Sequence, residues 1–168
     1  SMSTKGKESM KGGNTIKIRK ATVQDARDIH ALINQHARKD EMLPRSLNEI
    51  YDHLRDYLLS ETDGTIIGVC AMHIVWDDLA EIRSLTVSRR YRGKDIGRKL
   101  IRKLLREAKA LGIKNVFALT YHPGYFNKLG FESIDKNDLP HKVWGDCLKC
   151  PKFPDCDESA VIKRVDSA

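Results

Sequence analysis

The stretch Leu85-Thr86-Val87-Ser88-Arg89-Arg90-Tyr91-Arg92-Gly93-Lys94-Asp95-Ile96-Gly97-Arg98 runs from an apolar strand-like segment, through a basic glycine-containing loop, into a helical pattern. A loop of this kind aims the unpaired N–H groups of a helix N-terminus, and the positive end of the helix dipole, at whatever lies in front of them. Gly93 and Gly97 let the backbone approach a ligand with no Cβ in between. The chemistry such a loop performs is phosphate or pyrophosphate binding. A plain helix cap would use the same residues, so the loop alone does not decide between them.

The surrounding charge points the same way. Arg89 to Lys109 holds ten basic residues against Asp95 and Glu107, a net +8 where the whole chain carries +7. A patch this local fits a phosphorylated cofactor, although a solvated helix face accounts for part of it. Nucleic acid is not the expected partner, because no Phe, Tyr or Trp interleaves the basic helix after Tyr91. A second cluster lies near the C-terminus. Cys147-x-x-Cys150 has metal-ligand spacing, Cys156 offers a third ligand, and His141 or Asp157 a fourth. Both a structural zinc site and reduced cysteines in a Pro-rich loop fit this pattern, whereas Cys70 sits in an apolar strand and reads as core.

These groups need a scaffold, and 168 residues supply one domain, with 40% hydrophobic and 32% charged residues. The longest apolar run, Ile66–Met72, is far short of the ~20 residues that span a bilayer. Residues 1–14 read as a disordered leader without an apolar signal segment. Residues 15–168 read as the folded domain, with a Cys-containing extension over about 136–158, and a cytoplasmic location is expected. Alternation over Ile16–Lys20 predicts a strand. Thr22 and Asp25 open a helix with the stripe Ala26, Ile29, Ile33 and Ala37. Met42-Leu43-Pro44-Arg45 breaks it, and Ser46 caps a second helix with Leu47, Ile50, Leu54 and Leu58 along its buried side. Strands follow over Tyr57–Glu61, Thr65–Trp76 and Leu79–Val87, separated by the turn signals Asp63-Gly64 and Asp77-Asp78. The strongest helix runs from Ile96 to Leu111, with Gly112 at its C-terminal cap. Val116–Leu119 is a strand, Tyr125–Leu129 a short helix ended by Gly130, and Phe131–Ile134 and Ala160–Val165 are strands. The order β-α-α-β-β-β-α-β-α-β-β predicts an α/β domain around one mixed, mostly antiparallel sheet flanked by helices.

Arg92 to Gly97 resembles the acetyl-CoA signature Arg/Gln-x-x-Gly-x-Gly/Ala of the GNAT superfamily of N-acetyltransferases, with Arg92 first and Gly97 last. Asp95 replaces the usual middle glycine, which calls for a backbone tolerant of positive φ and a side chain turned away from the phosphates. Leu85-Thr86-Val87 resembles the strand that pairs with the pantetheine arm. Tyr125 to Phe131 resembles the late motif Phe-Tyr-x-x-x-Gly-Phe, with Phe126 in place of the tyrosine that often protonates the leaving thiolate. Within the superfamily, Met42–Ser46, Trp76–Leu85 and Phe117–Thr120 resemble the short, free-standing bacterial amino-acid N-acetyltransferases that make N-acetylglutamate.

The resemblance implies a GNAT fold, acetyl-CoA as cosubstrate, and transfer of its acetyl group to the α-amine of L-glutamate as the first step of arginine biosynthesis. It places the cofactor against Leu85–Val87, Arg92–Arg98, Phe126 and Asn127. Glu81 matches the glutamate that many family members use to take the ammonium proton. A salt bridge to Arg83, two residues along the strand, is the competing role. Backbone N–H groups around Leu85 would polarise the thioester carbonyl. Arg83 and Arg45 are the candidates to grip substrate carboxylates, and Thr120 to add a hydrogen bond. With Phe126 unable to donate a proton, Tyr121 and, after it, Tyr125 are the available phenols. Another small amine or a protein N-terminus is the alternative acceptor. A homodimer is compatible with the sequence, which does not fix the oligomeric state.

Overall fold

The computed structural model describes residues 15–37, 44–140, 143 and 157–165. One seven-stranded sheet organises them, in the order β1-β2-β3-β4-β5-β7-β6. The strands are β1 (Lys17–Lys20), β2 (Tyr57–Thr62), β3 (Thr65–Trp76), β4 (Leu79–Val87), β5 (Asn115–Thr120), β6 (Glu132–Ile134) and β7 (Ser159–Arg164). Only the central β4–β5 ladder is parallel; the other five are antiparallel. Four helices join them: α1 (Ala26–Ala37), α2 (Leu47–Asp52), α3 (Ile96–Ala110) and α4 (Pro123–Lys128). The element order and the mixed, mostly antiparallel sheet are those expected from the sequence.

The two faces of the sheet are covered by different helices because the strand period is two. On one face Leu58, Cys70, Met72, Ala80, Ile82, Val116 and Ala118 pack beneath Ile96, Leu100, Ile101, Leu104 and Ala108 of α3. The basic residues Lys99, Arg102, Lys103, Arg106 and Lys109 occupy the outer side of that helix and are exposed. Gly112, at φ +86, ends it as the sequence predicts. On the opposite face Tyr57, Leu59, Val69 and Ala71 receive Ile29, Ile33 and Ile50 of α1 and α2. A third cluster joins Leu79, Phe117 and Ala160 to Leu139 and Val143, so the chain after β6 completes the core at the far end of this face.

Two boundaries differ from the sequence expectation. The second helix stops at Asp52, and a 3-10 turn over Leu54–Asp56 leads into β2. Leu58 is therefore a strand residue facing α3, not part of the helical stripe. The short helix begins at Pro123, two residues before Tyr125, with proline in the first turn where its missing N–H costs nothing. The leader, Met42-Leu43 and the cysteine cluster with His141 lie outside the described residues.

Candidate active site

The local irregularity of β4 creates the site. Arg83 pairs with Ala71 and Thr86 with Val69, so Ser84 and Leu85 together oppose Cys70 in a β-bulge. Ser84 takes up the extra residue with φ +56, a conformation that non-glycine residues seldom adopt. The parallel ladder to β5 ends at Ile82↔Ala118, just before the bulge. Beyond that point β5 pairs onward with β7 as far as Thr120↔Ser159. Leu85–Val87 thus border a notch between two strands that have parted.

The basic loop lies beside this notch. A 3-10 turn over Arg89–Tyr91 leads through exposed Arg92, Gly93 and Lys94 to α3, whose N-cap is Asp95 at φ +66. The aspartate accordingly occupies the left-handed position that the sequence called for. Its carboxylate makes no cap hydrogen bond, is 60% exposed and lies 3.8 Å from Arg98 Nη1. Lys94 Nζ stands 5.5 Å from the centre of the Tyr91 ring. Gly97 is buried and closely approached: a Cβ built there would lie 2.6 Å from Tyr125 Oη and 3.6 Å from Leu85 Cδ1. Tyr125 therefore reaches back from α4 to the junction of α3 and the β4 bulge. Burial, reinforced by the Asp95 charge, raises its phenol above the ordinary tyrosine value. It remains a proton donor at neutral pH.

Phe126 turns into the core and stacks edge-on with Tyr125 and Phe131. Asn127 Nδ2 donates to Phe131 O at 3.0 Å and Ser133 Oγ at 3.3 Å, fastening α4 to β6. Both residues of the late motif are thus engaged in holding α4 in place.

On the α1/α2 face, next to the bulge, a pocket is lined by Arg45, Glu49, His53, Asp56, Tyr57, Ala71, Arg83 and Ser84. Two arginines 38 positions apart in the sequence therefore meet in one cavity. Each is positioned. Asn34 of α1 clamps the Arg45 backbone, donating to its carbonyl at 2.9 Å and accepting from its N–H at 3.2 Å. Ser46 and Glu49 form a reciprocal capping box, and Arg45 Nη1 lies 3.4 Å from Glu49 Oε2. Burial works against the Glu49 charge, yet Ser46 and Arg45 together hold its carboxyl below the usual range. Arg83 Nε donates to Glu81 Oε1 at 2.7 Å, with the two side chains only 11% and 12% exposed. The bulge begins after Arg83, so both residues keep the same face of β4, with Glu81 opposite His73 on β3 and Phe117 on β5.

Thr120 is buried at the end of β5, where its Oγ1 accepts the His122 N–H at 2.8 Å. It is not among the residues lining the two-arginine pocket. Tyr121 follows directly, half-buried with an enclosed hydroxyl. Sequence reasoning did not find Glu49, His53, Asp56, Tyr57 or His73. They come together through the β2–β3–β4 register and the end of α2, and no local motif marks them.

The profile of the acetyltransferase (GNAT) family matches residues 23–131, from the first helical turn through the late motif. This chain belongs to the GNAT family and is an N-acetyltransferase. An uncharacterized N-acetyltransferase of Chlorobaculum tepidum is 39% identical over 148 residues, spanning 88% of this chain and 96% of that protein. An amino-acid acetyltransferase of Mycobacterium tuberculosis is 29% identical over 135 residues, spanning 79% of this chain and 77% of that one. Among solved structures, an N-acetylglutamate synthase of Neisseria gonorrhoeae complexed with coenzyme A and N-acetyl-glutamate superposes with a TM-score of 0.81 at 25% identity. That match covers 90% of this chain and 35% of the gonococcal chain. The GNAT fold explains the parted strands: β4 and β5, the parallel pair, splay at the bulge beside the α3 N-terminus.

Proposed function

We propose that this N-acetyltransferase moves the acetyl group of acetyl-CoA to the α-amine of L-glutamate. The observation that carries the reading is the convergence of Arg45 and Arg83 in one pocket beside the β4 bulge. Guanidinium groups are the side chains best shaped to grip carboxylates, and glutamate brings two. The likeness to amino-acid acetyltransferases and to a structure holding coenzyme A and N-acetyl-glutamate supports the same acceptor.

In this reading the pyrophosphate lies against Arg92–Arg98 and the α3 N-terminus, and the pantetheine arm runs along Leu85–Val87 in the notch. Glu81 accepts a proton from the substrate ammonium, directly or through water, which frees the nitrogen lone pair. That lone pair attacks the thioester carbon as backbone N–H groups at the bulge stabilise the developing oxyanion. The C–N bond forms, the C–S bond breaks, a phenol protonates the departing thiolate, and the second proton shed by the nitrogen as it becomes an amide returns to the phenolate through water. Tyr125, with its raised pKa and its hydroxyl beside Leu85 and Gly97, is placed at that end of the notch; Tyr121 is the second candidate. The ion pair between Arg83 and Glu81 then holds both side chains in place along β4.

The test is thiol release from acetyl-CoA across the twenty amino acids, with polyamines and short peptides added. Turnover confined to glutamate and its near relatives is expected. Arg83→Ala and Arg45→Ala should each raise the glutamate KM by roughly 10- to 100-fold, the range for losing a charged hydrogen bond of about 1.5–3 kcal/mol. Activity restricted to polyamines or peptides would retain the transferase and overturn the acceptor.

A further inference from the structure

One side-chain cluster at the pocket margin has no part in acetyl transfer as described. His53, Asp56 and His73 each present one ligand atom, and these atoms lie within 4.8 Å of one another. From this convergence we propose that the three residues form a divalent transition-metal site, suited to zinc, on the rim of the acceptor pocket, and that its occupation inhibits the enzyme.

The local structure explains how the three meet. His53 ends α2 and precedes the 3-10 turn over Leu54–Asp56. Residues three apart eclipse on such a turn, so His53 and Asp56 share one side. β3 passes in front of them and contributes His73. Asp56 Oδ2 is the common point, 2.8 Å from His73 Nδ1 and 3.7 Å from His53 Nδ1. Two ligands of one tetrahedral zinc, each bonded at about 2.0–2.1 Å, sit roughly 3.3 Å apart, between those two separations. The wider gap is closed by turning the imidazoles, which now meet edge to face with centroids 4.9 Å apart. Each of the three side chains is between 26% and 44% exposed, so an ion can reach them from solvent.

The donor set is two imidazoles and one carboxylate, which matches zinc and its neighbours in the transition series better than magnesium or calcium. The neighbouring charge does not forbid a cation. The pocket's two arginines are already matched, Arg45 by Glu49 and Arg83 by Glu81. Three protein ligands leave a coordination position that water or a small ligand fills. An amino acid entering the pocket carries the amine and carboxylate that suit that position. An amine whose lone pair is held by the metal cannot attack a thioester.

The experiment titrates the purified full-length chain with Zn2+ by calorimetry, and with Co2+ by visible spectroscopy, alongside His53→Gln and His73→Gln variants. The thermal melt of each variant establishes that it folds. The site predicts a binding isotherm in the wild type that is weakened at least tenfold in both variants, and a Co2+ spectral component without thiolate-to-metal charge transfer that both variants lose. Turnover with and without Zn2+, compared within each protein, should fall in the wild type and change little in the variants. Binding and a cobalt spectrum both untouched by the two substitutions would overturn the site. Binding without inhibition would overturn its regulatory role. Because the metal is measured without acceptor or acetyl-CoA, the site stands or falls independently of the assignment of glutamate.

Discussion

The hydroxyl of Tyr125 occupies the space in which residue 97 would carry its Cβ, 2.6 Å from that position. Gly97 is therefore needed for more than backbone approach to a phosphate: it makes room for a side chain from another helix. Gly97→Ala keeps a helical backbone but displaces the phenol. The forced shift should cost about 1–3 kcal/mol and raise the acetyl-CoA KM by roughly tenfold. Removing the obstructing hydroxyl in Gly97→Ala/Tyr125→Phe should recover most of the KM while leaving kcat low. Steady-state kinetics on the two single variants and the double variant would show it. A KM that fails to recover in the double variant would place the defect in the phosphate loop itself.

Glu81 offers a second discrimination. Glutamine at this position still accepts a hydrogen bond from Arg83, so Glu81→Gln should fold with nearly the wild-type melting temperature. As a lost proton acceptor it should lower kcat by about 10²–10⁴. Retention of wild-type kcat would reduce Glu81 to the structural partner of Arg83.

Acid stability rests on another carboxylate. Asp25 receives both Nη groups of Arg19, at 2.7 and 2.9 Å, and the Thr22 N–H at 2.7 Å. The Arg19 bonds are the main reason its pKa falls to about 2, with burial opposing them. Because the folded-state value lies below the unfolded one, this stabilisation is fully present above about pH 4 and is lost as the pH falls toward 2. It amounts to about 2 kcal/mol. Asp25→Asn should melt lower at neutral pH, and its stability should change less than the wild type's between pH 4 and 2. Thermal melts across that range would measure the difference.

The sequence made the helix over α3 legible because its apolar positions repeat cleanly and Gly112 stops it. The strands around Asp63-Gly64 and Asp77-Asp78 were legible because those turns punctuate them. Asp95 announced its left-handed backbone by departing from a glycine position. Ser84 announced nothing, since serine in a strand carries no mark of φ +56. Its conformation follows from the β3–β4 register, which only tertiary packing sets. Leu58 mimics a helical position because apolar spacing from Leu47 continues past the end of α2 into β2. Pro123, in the first turn of α4, is the local signal that sets the helix start two residues before Tyr125. Arg45 and Arg83 were recognisable by side-chain chemistry, whereas the pocket wall of Glu49, His53, Asp56 and Tyr57 exists only once α2 has docked on the sheet.

The ladder between β4 and β5 ends at Ile82↔Ala118, in the middle of the sheet and not at its edge. A sheet interrupted at its centre is held together across the gap by whatever occupies it. In the reading proposed above, that occupant is the pantetheine arm of acetyl-CoA, lying as a short guest strand between two resident ones. Acetyl-CoA binding is then expected to stiffen the centre of the sheet, read as slower amide hydrogen exchange at Leu85–Val87.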